Sequence, residues 1–449
     1  MKKIVVILSV LAVIATGCGN RGEDTSGSGT TSEVSKPGGS AASGDWGDLK
    51  GVCGPNEGGG KVAGDAQGVK ADSIQLGTVA DPGFSARQGL NQELFDAGTA
   101  FVAWCNKAGG INGKKINLTL HDAKFVEYRQ AIEAACSKDF ALVGGGGVQD
   151  NVWPEVAEAC GLIDVAGFAV TAAKAGLAGQ KPSTTRTIQA VPNPADRYAA
   201  GPALLANKKY PEAGKRLGVL FADYQTLIDQ AAKEVQGQKL IGNTIASETA
   251  YNPQGEPNWK PFASTLKRDN ISFMRFIGEP SFAGSLEQAL KSIGYVPTVR
   301  LYDTNFYDHE FIESAGPAAE GALVGSAFAP IEEASTNPAT QLYIDNLKAS
   351  GGKQAILGVQ STSAWLLFAT IARDCDRDDN LTRTCILEKG DAVKDWTGGG
   401  LHAPTQPGEN IGSECWMVMQ VKDGEFERWA PDKGFDCDPK SQLPIVPAK

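Results

Sequence analysis

Short apolar runs alternate with helix-periodic stripes twice over in this sequence, and few folds accommodate that order. In the first series Ile74 to Val79 reads as a strand that ends in the turn Asp81-Pro82-Gly83. Leu90, Leu94, Ala97, Phe101 and Cys105 then recur at helical spacing, and Gly109-Gly110 stops that helix. Strands at 116–120, 140–143 and 163–166 follow, separated by a helix at 128–138 and one striped by Val152, Val156 and Ala159. After Pro192-Asn193-Pro194 the pattern restarts, with strands at 217–221, 244–249, 272–277 and 299–302. Helices near 226–236, 259–268 and 281–293 lie between them. Two more helices (340–349 and 361–373) and a strand pair, 416–421 with 426–429, complete the chain. Successive βαβ units predict an α/β protein of two doubly wound, parallel-sheet lobes, with ligands met at the carboxyl ends of the strands.

Composition narrows the function. A chain of 449 residues suits two or three domains, and 42% hydrophobic with 21% charged residues excludes global disorder. The net charge of -10, with no basic block, argues against a nucleic-acid partner. His121, His309 and His402 are the only histidines, which leaves little for histidine-based metal or acid–base chemistry. No metal and no cofactor is expected.

The amino terminus points to export. Lys2 and Lys3 precede an apolar run from Ile4 to Ile14, and Ala15-Thr16-Gly17 precedes Cys18. That order reads as a secretory signal, too short to span a bilayer. Small residues ahead of Cys18 resemble the bacterial lipobox, in which the Cys is lipidated. Residues 1–17 are therefore expected as signal peptide, and residues 18–50 as lipidated Cys and Gly/Ser-rich tether. The location expected is the outer side of the cell membrane, periplasmic or at the cell surface. Eight cysteines remain besides Cys18, an even number that allows four disulfides in an oxidising compartment.

Four segments carry a family resemblance. AGGINGKKI at 108–116, PNPADRYAAGPALLA at 192–206, YDTNFYDHEFIESAGPAAEGALV at 302–324 and the final hairpin follow one another in family order. Over residues 72–430 the chain resembles the branched-chain amino-acid (Leu/Ile/Val-type) substrate-binding proteins, the type I periplasmic binding fold. The resemblance implies two lobes joined by a hinge, 72–190 plus 330–393 and 191–329 plus 394–449. They would close on a small polar or amino-acid-like solute, as a monomer and without enzyme activity. A membrane permease with a separate ATPase subunit is the implied partner, since the chain holds no GxxxxGK[ST] loop. A sensory protein of the same fold is the alternative. The family's strand order, with right-handed crossovers, implies the pairs Cys136–Cys160 and Cys53–Cys105. Cys375–Cys385 would close a short loop and Cys415–Cys437 would pin the tail.

Candidate ligand contacts lie in the loops after the strands. The turn 81–88 carries Phe84, Ser85 and Arg87, facing a ligand or simply solvated. Gly144 to Gly147 either lets backbone NH groups approach a ligand or permits close strand–helix packing. Relatives place a serine near Gly147 or Val148 to hold a ligand carboxylate; here Gln149 or Asp150 would substitute. Phe168 and Thr171 follow the fourth strand, and Tyr224 follows the first strand of the second series. Relatives carry an acid close to Thr304 to pair a ligand ammonium, and Asp303 is its neighbour. His121-Asp122 resembles half a catalytic pair but has no nucleophile motif beside it. Trp153, Trp259 and Trp365 are expected in the core.

Overall fold

The computed structural model describes residues 44–63 and 66–447. The signal peptide, Cys18 and most of the expected tether lie outside the described residues. Residues 44–50, also expected in the tether, belong to the folded body: Trp46 is buried and meets Trp104 edge-on at 5.0 Å.

In the described residues the first sheet comprises β1 (Ser73–Ala80), β2 (Lys115–Asp122), β3 (Ala141–Val143), β4 (Asp164–Ala166) and β5 (Thr187–Gln189). They run parallel in the order β2-β1-β3-β4-β5. The chain steps outward from β1 to β2 and then returns past β1 to β3. The loops after β1 and β3 thus part at a topological switch point, where an α/β sheet opens a crevice. β3, β4 and β5 are buried throughout, because helices cover both faces of a parallel sheet.

A short strand, β6 (Arg197–Ala199), leads to the second sheet. That sheet holds β7 (Leu217–Ala222), β8 (Ile245–Tyr251), β9 (Phe273–Ile277), β10 (Val299–Tyr302) and β11 (Leu323–Ser326), and it ends in β12 (Cys415–Lys422) and β13 (Glu425–Ala430). The order is β13-β12-β11-β10-β9-β7-β8, with β12 antiparallel to both its neighbours and the other pairs parallel. Its switch point lies between β7 and β9. β14 (Asp436–Cys437) pairs with β12, and β15 (Gln442–Pro444) with β6. β10 is not the last parallel strand, as the sequence suggested: β11 follows it, in a run too short to show periodicity.

Between β11 and β12 the chain returns to the first sheet. The helix Ile356–Arg377 is buried on nearly every side and packs on β3, β4 and the helix Gln92–Ala108. Its Trp365 is fully buried and stacks on Phe101 at 5.3 Å. Glycine makes this approach possible. A Cβ on Gly144, whose φ is +69°, would lie 2.4 Å from the Trp365 indole nitrogen. Trp153 and Trp259 are also buried.

All four expected disulfides form: Cys53–Cys105, Cys136–Cys160, Cys375–Cys385 and Cys415–Cys437, with Cα separations of 4.0 to 6.1 Å. Cys53–Cys105 ties the extension ahead of β1 to the end of the first long helix. The others fasten two helix ends, a helix–helix loop and the carboxyl-terminal tail.

Candidate ligand-binding cleft

A cavity of about 440 Å³ lies between the two sheets, at the carboxyl ends of their parallel strands. That is within the range of small-molecule sites. Its two walls differ in chemistry. The first lobe contributes mainly apolar side chains, among them Phe84, Leu90, Phe125, Val148, Phe168 and Leu357. The second contributes apolar side chains too, such as Tyr251, Ile277, Phe282 and Trp416, and also the charge: Arg197, Lys233, Glu234, Arg275, Glu279 and Asp303.

On the first lobe Asp81 ties three loops together. Its carboxylate accepts from Phe125 N at 2.8 Å and from Val148 N at 3.1 Å. Burial pushes its pKa up to about 6, against the pull of those two bonds. The loops so fixed bring Phe84 against Phe125, stacked at 4.5 Å. The four glycines serve close packing as well. Cβ atoms at Gly145, Gly146 and Gly147 would strike the Val79 backbone, the Phe168 ring and the Tyr128 ring at 2.4–2.7 Å.

On the second lobe Arg275 rises from the buried strand β9. It donates to both oxygens of Glu234, at 2.5 and 3.0 Å, to the Leu301 carbonyl at 2.6 Å and to Asp303 Oδ1 at 2.5 Å. Tyr198 and Gln238 also donate to Glu234, at 3.1 and 2.7 Å. Burial raises the pKa of Asp303, and Arg275 opposes that shift. Half of the Asp303 side chain, 54%, remains open. Lys233, on the helix Gln225–Leu240, donates to Asn193 Oδ1 at 2.7 Å and to the Pro194 carbonyl at 2.9 Å. Burial pushes Glu279 up to about 7.

The lobes touch on both rims of the cavity. On one, Tyr224 meets Phe125 edge-on at 5.0 Å, and Gln230 donates to the Val170 carbonyl at 2.7 Å. On the other, Arg87 pairs with Glu310, and Lys353 pairs with Asp308 at 2.6 Å.

The residues singled out from sequence divide accordingly. Phe84, Phe168, Asp303 and Thr304 line the cavity; the Thr304 hydroxyl donates to the Gly325 carbonyl at 3.0 Å. Ser85 is exposed and outside the lining, and Tyr224 sits at the rim. Gln149, Asp150 and Thr171 are outside the lining, the last two buried. Asp150 is fully buried and accepts from Val170 N, Thr171 N and the Thr171 hydroxyl at 2.6–2.9 Å, so both side chains hold a loop in place. His121 bonds Asp139 at 2.6 Å on β2, away from the cavity. Lys233, Glu234, Arg275 and Glu279 escaped the sequence reading. The signals available were a lone arginine inside an otherwise apolar strand and a Gly-Glu pair directly after it.

Two sheets with facing switch points and a shared cavity define a two-lobed solute-binding protein. The profile of the periplasmic binding protein family matches residues 83–425, and the chain belongs to that family. It has the type I fold, and the family places it outside the cytoplasm. No curated protein matches the sequence. Among solved structures, a leucine binding protein from Thermotoga maritima is similar at 16% identity, over 79% of this chain and 97% of that one, with a TM-score of 0.63. A branched-chain amino acid ABC transporter protein from Thermus thermophilus, with bound valine, is similar at 13% identity over 82% and 98%, TM-score 0.64. A fatty acid ABC transporter substrate-binding protein from Thermomonospora curvata is similar at 14% identity over 88% and 99%, TM-score 0.68.

Proposed function

We propose that this protein is the lipid-anchored substrate-binding component of an ATP-driven importer, capturing a small amphipathic solute between its lobes. The cavity carries this reading, with an apolar first-lobe wall, a second-lobe wall that adds charge to apolar surface, and cross-lobe contacts on both rims. A ligand that touches both walls favours the closed form, because only that form makes all its contacts at once. The solutes of the similar structures, leucine, valine and a fatty acid, each combine a carboxylate with a hydrocarbon part. An amino-acid-like solute fits Asp303 as partner for its ammonium. Cys18 would hold the receptor at the membrane beside its permease. A thermal-shift screen over a solute library tests the binding role, since a ligand at 100 times its dissociation constant stabilises the fold by about 2.7 kcal/mol. Uptake of the hit in cells lacking this chain tests import. No shift with any solute, or unchanged uptake, would count against it.

A further inference from the structure

The cations of the cavity are not equally satisfied. Arg275 is neutralised by Glu234 and Asp303, and Arg197 by Asp196 at 2.8 Å. Lys233 differs. Two of its three N–H donors go to neutral oxygens, those of Asn193 and Pro194, and among the described residues no carboxylate lies within 4.0 Å of its nitrogen. Asp303, Asp196 and Glu234 act on it only from beyond that distance, so an incoming anion can meet the amine directly without displacing an ion pair. Facing it across the cavity is the apolar wall of Phe84, Phe125, Val148 and Phe168, which offers hydrocarbon contact but no ionic partner.

We propose that Lys233 is the anchor for the solute's carboxylate, so that the ligand is an organic acid whose hydrocarbon part lies against the first lobe. The assignment rests on the solute-binding reading above and gives that site its ligand class. It also places the anion on the second lobe. The first lobe lines the cavity with no cation, and the carboxylates behind its wall, Asp81 and Asp150, already accept from backbone NH groups. The acid has two sources, a plain alkanoate or a zwitterionic amino acid. Asp303 separates them: its second oxygen is open to an ammonium, while an alkanoate would meet only its repulsion.

Calorimetric titration decides the matter. The probes are n-alkanoates from butanoate to hexadecanoate, the matching alcohols and amines, and L-leucine. Expected is binding of a carboxylate at least tenfold tighter than of its alcohol in the unaltered protein, a comparison that needs no variant. Lys233→Gln should lose that advantage, and Lys233→Arg should recover most of it. Asp303→Asn should weaken leucine while leaving or tightening an alkanoate. An alcohol or amine that binds as tightly as the acid, equal carboxylate affinity in a folded Lys233→Gln protein, or no carboxylate binding at all would each overturn the assignment. Closure on a neutral or cationic solute would do so while leaving the solute-binding role intact.

Discussion

Lys353 Nζ lies 2.6 Å from Asp308 Oδ2, and the two residues belong to different lobes. Lys353 precedes the helix Ile356–Arg377 that packs on the first sheet, whereas Asp308 caps the helix His309–Ala315 on the second. Glu310 and Glu93 extend the contact at 3.4 and 3.5 Å, and Arg87 meets Glu310 beside it. These ion pairs exist only while the lobes are together, so they bias the equilibrium toward closure. Lys353→Ala should therefore open the unliganded protein and weaken ligand binding by about 5- to 30-fold, for a loss of about 1–2 kcal/mol at a partly buried pair. Small-angle scattering reads the opening, and salt should mimic it in the native protein. An unchanged radius of gyration and affinity would remove the latch.

The Cys53–Cys105 bond fastens an extension whose Trp46 is buried against Phe101 and Trp104. Replacing both cysteines by serine should cost about 2–4 kcal/mol, since the cross-link restricts the unfolded chain. The cleft is distant from this bond, so ligand affinity should hold while the melting temperature falls. Peptide mapping without reductant should recover all four pairs.

The difference between what sequence revealed and what it concealed follows from locality. Strands such as β1 and helices such as Gln92–Ala108 announce themselves by periodicity, and family order supplies their connection. β11 is four residues long and is defined by its neighbours β10 and β12, so no local pattern marks it. The loops that meet at the cavity were legible, because switch-point geometry follows from strand order. Which side chain in each loop turns inward was not. Asp150 and Thr171 occupy the expected loops yet bond each other behind the wall, while Lys233 reaches the cavity from mid-helix.

Lys174 offers a test of the buried framework behind the first wall. It is fully buried, 2.7 Å from Asp164, hydrogen-bonded to the Tyr128 hydroxyl at 2.9 Å and 4.9 Å from the Trp153 ring centre. Lys174→Met would leave the Asp164 carboxylate enclosed without a counter-ion, at a cost of about 3–5 kcal/mol. Adding Asp164→Leu should recover most of that loss, because an apolar pair needs no desolvation of charge. Denaturant melts of the single and double variants check this. Equal destabilisation in both would mean that packing, not charge, is what Lys174 provides.

The pH dependence of carboxylate binding gives a separate view of Lys233. Burial pulls its amine down from 10.5 to about 8, with Asp303, Asp196 and Glu234 as the charged groups that oppose the shift. A lowered amine pKa means that the folded protein holds this proton less tightly than the unfolded chain. Its contribution to stability is therefore present above 10.5 and lost as pH falls through about 8. Ligand affinity runs the other way. A bound carboxylate favours the charged amine and raises its pKa, so binding takes up a proton once the free amine has lost its own. Affinity should thus decline above about pH 8, by up to about tenfold per unit. Glu279, pushed up to about 7, gains its negative charge as pH rises through that value and would add its own repulsion, so the profile is best read in Glu279→Gln. In that background a decline centred near pH 8, abolished by Lys233→Gln, would report the lysine itself. A profile flat from pH 7 to 10 would show that no proton on Lys233 takes part in holding the solute.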